Sequence, residues 1–76
     1  MKTESILDLK RIAEAGGGLE LDGSEISTLD LERLAEAAAE GGGQLVLRNM
    51  KGRSTLDLVR VAKAAPGHVL FSPIPV

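Results

Sequence analysis

Cysteine, tryptophan and tyrosine are absent from this chain of 76 residues, and Phe71 is its only aromatic residue. Without cysteine there is no disulfide framework, no thiolate metal centre and no cysteine nucleophile. A single histidine, His68, rules out a multi-histidine metal site. One ring cannot make a stacking platform for bases. Long apolar runs are missing too, which excludes a membrane-spanning helix. The opening residues, Met1-Lys-Thr-Glu-Ser-Ile6, lack the apolar core of a signal peptide, so the expected compartment is the cytoplasm. A net charge of −2 gives no bulk attraction to nucleic acid or an anionic membrane. So short a chain supports one domain with a small core, and chains of this size usually add a disulfide, a metal or a partner subunit. Composition closes the first two routes, which leaves self-association.

What is present is a repeat. Ser5-Ile-Leu-Asp-Leu-Lys-Arg-Ile-Ala-Glu-Ala15 recurs as Ser27-Thr-Leu-Asp-Leu-Glu-Arg-Leu-Ala-Glu-Ala37 and again as Ser54-Thr-Leu-Asp-Leu-Val-Arg-Val-Ala-Lys-Ala64. Each copy leads through glycine into a short aliphatic run: Leu19-Glu-Leu21, Leu45-Val-Leu47 and Val69-Leu-Phe71. Self-similarity at a regular period marks a repeat architecture.

Local chemistry assigns each half of the unit. Ser5, Ser27 and Ser54 suit helix N-caps, because a hydroxyl there accepts an early amide proton. Asp8, Asp30 and Asp57 fall in the first turn, against the positive end of the helix dipole, and each stands three residues before an arginine (Arg11, Arg33, Arg60). Leu9, Ile12 and Ala13 share one stripe, as do Leu31, Leu34 and Ala35, and Leu58, Val61 and Ala62. Gly16, Gly41 and Pro66-Gly67 stop the helices. Helices are therefore expected near residues 5–15, 27–40 and 54–65, and strands near 19–22, 44–48 and 68–72. Leu7, Leu29 and Leu56 lie off the main stripe; they either pack helix against helix, the expected role, or leave an exposed leucine ladder for a partner.

Helix–strand order repeated three times predicts an α/β fold. Its three-stranded parallel sheet has order 1-2-3 with all helices on one face, a short solenoid. The units span about 5–22, 27–48 and 54–72, with a C-terminal tail at 73–76. The spacing, and the string Leu19-x-Leu21-x-x-Ser24-x-Ile26, resembles the ribonuclease-inhibitor type of leucine-rich repeat. Ser24 and Met50 stand where that family places Asn or Cys. The resemblance implies a binding or scaffolding role.

Candidate chemistry is thin. Gly16-Gly-Gly18 and Gly41-Gly-Gly43 follow helices and enter strands, the reverse of a phosphate loop, so they read as helix-stopping turns. The segment Arg48-Asn-Met-Lys-Gly-Arg-Ser54 runs from a strand end to a helix start, where α/β folds bind ligands. Arg48, Lys51, Arg53 and the Ser54 hydroxyl form a possible anion site, set against the simpler reading of a solvated polar turn. His68, without a carboxylate near it in sequence, reads as a surface residue. No serine belongs to a nucleophile elbow. The expectation is a non-enzymatic structural or protein-interaction module that needs no cofactor and no metal; an accessory anion- or nucleic-acid-binding protein is the alternative.

Assembly follows from the strand pattern. The sheet face away from the helices carries Glu20 and Asp22, then Val46 and Arg48, then Leu70 and Ser72. Val46 and Leu70 should be neighbours, forming an apolar patch. The edges are guarded by the acidic residues of the first strand and by Pro73 and Pro75 after the third. A homodimer burying Val46 and Leu70 through this face, with Ile74 or Val76 of the tail contributing, is therefore expected. The alternative is that the tail, Phe71-Ser-Pro-Ile-Pro-Val76, folds back and covers the patch.

Overall fold

The computed structural model describes residues 6–50 and 52–72. Helix α1 spans Ile6–Glu14, strand β1 Leu19–Asp22, helix α2 Thr28–Gly41, strand β2 Leu45–Arg48, helix α3 Thr55–Ala64 and strand β3 Val69–Phe71. A single 3-10 turn at Gly23–Glu25 joins β1 to the α2 cap. The strands form one parallel sheet in the order β1-β2-β3, with Leu19, Leu45 and Val69 in register. The helices cover one face of it.

The caps explain where the helices begin. Ser27 and Ser54 accept hydrogen bonds from the amides of Asp30 (3.2 Å) and Asp57 (3.1 Å). Ser5 lies outside the described residues. Arg33 approaches Asp30 at 3.8 Å and Arg60 approaches Asp57 at 3.9 Å, the expected three-residue pairs. α1 ends as Gly16 and Gly17 donate to the carbonyls of Ala13 and Ile12, with Gly16 in the left-handed region at φ 99°.

α2 ends at Gly41, one residue past the expected 40, and its backbone there makes a close approach. A Cβ on Gly41 would collide with the Ala13 carbonyl and lie 2.8 Å from the Glu14 oxygen and the Gly16 nitrogen. The bare backbone of Gly41 lets the C-terminal ends of α1 and α2 touch, and left-handed Gly42 (φ 76°) then caps the helix.

Burial concentrates on the middle unit. Leu31, Leu34, Ala35, Ala37 and Ala38 of α2 pack on Leu45 and Leu47 of β2 at the centre of a single apolar cluster, flanked by Leu9, Ala13 and Leu21 on one side and Val61 and Ala65 on the other. Two expectations fail. Ile12 shares its position in the repeat with Leu34 and Val61, yet Ile12 is exposed while those two are sealed. That position is sealed in α2 and α3, each of which follows another helix; among the described residues no helix precedes α1. Leu7, Leu29 and Leu56 are 60%, 52% and 71% exposed rather than packed between helices. Each lies two residues before the sheet-facing leucine of its helix, a rotation of about 200° that points it outward.

Among the described residues no helix is long and apolar enough to cross a membrane.

Candidate functional site

The ends of β1 and β2 that lead into helices meet in a small polar network. The Asp22 carboxylate accepts from the Ser24 hydroxyl at 2.7 Å, from the Ser24 amide at 2.9 Å and from the Asn49 side-chain amide at 3.0 Å. Hydrogen bonds from the Ser24 hydroxyl, the Ser24 amide and Asn49, with a smaller contribution from the Arg48 charge, lower its pKa from 3.8 to about 2. Asn49 adopts a left-handed conformation (φ 58°), which its short polar side chain tolerates. Beneath this network Gly23 and Met50 are both buried, and a Cβ on Gly23 would collide with the Met50 sulfur.

The described residues of the expected anion site take separate partners. The Arg53 guanidinium is part-buried and donates to the Thr28 hydroxyl at 2.8 Å, to the Gly23 carbonyl at 2.6 Å and to the Ile26 carbonyl. Its donors thereby tie the α3 entry loop to the α2 entry loop. Arg48 lies on the free sheet face and pairs with Glu20 of the neighbouring strand at 3.3 Å. The Ser54 hydroxyl caps α3. Lys51 lies outside the described residues.

His68, expected at the surface, is half-buried, and its Nδ1–H donates to the Gly43 carbonyl at 2.7 Å. That contact joins the turn before β3 to the turn before β2. Sequence reasoning missed it because its partner is a backbone carbonyl, which leaves no trace in residue identity.

The free sheet face is the second candidate. Glu20, Val46 and Leu70 stand in register across the three strands. Glu20 is exposed and ion-paired, Val46 is half-buried, and Leu70 is 47% exposed. Ile74 and Val76, the expected contributors from the tail, lie outside the described residues.

A shallow cleft of about 350 Å³ opens between the N-terminal halves of α1 and α2, lined by Ile6, Leu7, Lys10, Asp30 and Arg33. Two cations and one carboxylate at an open rim make a solvated surface rather than a reaction chamber. Among the described residues no group of three His, Asp or Glu side chains converges as a metal-binding cluster.

Comparison with protein-family models, with curated proteins and with solved structures found no match.

Proposed function

We propose that this chain is a non-enzymatic protein-interaction module, a short leucine-rich-repeat-like solenoid that works as a homodimer. The observation that carries the reading is Leu70: a large apolar side chain, 47% exposed, in register with Val46 on a face otherwise lined by Glu20, Asp22, Arg48 and Ser72. A single exposed leucine on a protein surface is ordinary. Here it crowns the last step of a gradient from Glu20 through Val46, which moves the apolar surface to one end of the sheet. The chain's small size adds weight, since burying that end against a second copy supplies core that 76 residues do not provide alone.

The complete absence of thiols makes the test simple. A Leu70→Cys variant, oxidised at micromolar concentration, should form covalent dimers faster than a Leu7→Cys control on the helix face. Equal rates at the two positions would remove the proposal.

A further inference from the structure

The third unit leaves its outer side unfinished. Residues that face the following unit are buried in the first two units and half-exposed in the third: Leu9 and Leu31 against Leu58, Ala13 and Ala35 against Ala62, Leu21 and Leu47 against Phe71. The same unit replaces charge by apolar surface. Val59 stands where the others have Lys10 and Glu32, and Leu70 where the first unit has Glu20. An open sheet edge usually carries charge that discourages pairing, and β1 does so with Glu20 and Asp22. β3, reading Val69-Leu-Phe71, carries none.

The hydrogen-bond phase of β3 fixes which backbone groups are free. Leu45 donates to the His68 carbonyl at 2.7 Å and Ser72 donates to the Leu47 carbonyl at 3.0 Å. Alternate residues of a parallel strand bond to the same neighbour, so Val69 and Phe71 turn their amides and carbonyls to the open edge. This phase is self-complementary. An antiparallel twin centred on Leu70 sets Val69 against the partner's Phe71 and Phe71 against the partner's Val69, both hydrogen-bonded pairs. Leu70 then faces the partner's Leu70 in the close, non-hydrogen-bonded pairing, with Cα atoms about 4.5 Å apart.

We infer that the partner is a second copy of this chain, joined β3 to β3 across a two-fold axis at Leu70 into one six-stranded sheet. The inference rests on the self-association proposed above and gives it a geometry. β1 of a second copy is the poorer occupant of this edge, because it would set Glu20 beside Leu70. Pairing β1 with β1 would oppose identical carboxylates. Pro73 carries no amide proton, so the ladder has no donor there and pairing stays confined to the three residues of β3.

Residue-resolved amide hydrogen exchange across a protein concentration series tests the geometry, with the molecular mass followed in the same samples. The Val69 and Phe71 amides should slow by about tenfold or more as dimer forms, while the Leu47 amide, already inside the sheet, stays constant. In a Leu70→Lys variant both should stay fast at every concentration. A dimer in which Val69 and Phe71 still exchange freely would overturn edge pairing and leave self-association standing. A chain that stays monomeric throughout would overturn both.

Discussion

Arg53 and Thr28 are 25 residues apart in sequence, yet the Arg53 guanidinium donates to the Thr28 hydroxyl at 2.8 Å, and the same group reaches the Gly23 and Ile26 carbonyls. One side chain thus closes the junction between the second and third units on the loop side of the sheet. Arg53→Ala should lower the unfolding free energy by about 2 kcal/mol, the scale of hydrogen bonds from a charged donor. Arg53→Lys should recover only part of it, because a lysine ammonium lacks the planar fork that reaches three acceptors. Urea denaturation at fixed protein concentration measures both. An Arg53→Ala midpoint equal to wild type would show that the junction holds without it.

Gly41 makes the opposite prediction from helix propensity. Alanine in place of a helical glycine ordinarily stabilises by up to about 1 kcal/mol. Here the added Cβ would strike the Ala13 carbonyl, so Gly41→Ala should destabilise, by about 1–3 kcal/mol. A rise in melting temperature would mean that the ends of α1 and α2 do not touch.

These two positions show where sequence reading stops. Ser27 and Ser54 announced their helices because a cap bonds to the backbone only three residues ahead, a local relationship. The strand order and the parallel sheet followed from the repetition of one unit. Gly41 is legible as a helix stop, and α2 does end on it; residue identity does not show that a carbonyl 28 positions earlier in the chain keeps it bare. Arg53 and Arg48 read together as part of a possible anion site because both stand in one short segment. Only the fold shows that one reaches back to the previous loop and the other lies across the sheet on Glu20. Ile12 obeys the periodicity of its stripe and is still exposed, since the pattern does not show which flank of α1 has a neighbouring helix among the described residues.

Leu29 and Leu31 separate the outward leucines from the core. Leu31 is fully buried at the centre of the apolar cluster, so Leu31→Ala should cost about 2–5 kcal/mol. Leu29→Ala, two residues away on the outward face, should stay within about 0.5 kcal/mol of wild type. Chemical denaturation of the pair gives the contrast directly, and equal losses would contradict the orientation of α2.

Asp22 contributes an acid sensitivity. Its carboxylate pKa is lowered in the folded chain from 3.8 to about 2, so its ionised form favours the folded state. That contribution is complete above the unfolded value and disappears as pH falls from about 4 to about 2. A carboxyl titration by NMR should place the Asp22 midpoint near 2, and Ser24→Ala should move it upward more than Asn49→Ala does. A wild-type midpoint near 3.8 would show that the Ser24 and Asn49 hydrogen bonds are not formed in solution.

Sedimentation equilibrium of the wild type beside Leu70→Glu tests the central claim most directly. Leu70 is about half exposed, so the substitution leaves the fold intact, and circular dichroism at low concentration should confirm the same helix content. Two carboxylates forced together at the proposed contact should abolish association. The account predicts a wild type that passes from monomer to dimer across the micromolar range, and a Leu70→Glu chain that stays monomeric with a lower melting temperature at high concentration. A wild type that sediments as a monomer throughout that range, or a Leu70→Glu chain that dimerises as the wild type does, would contradict it.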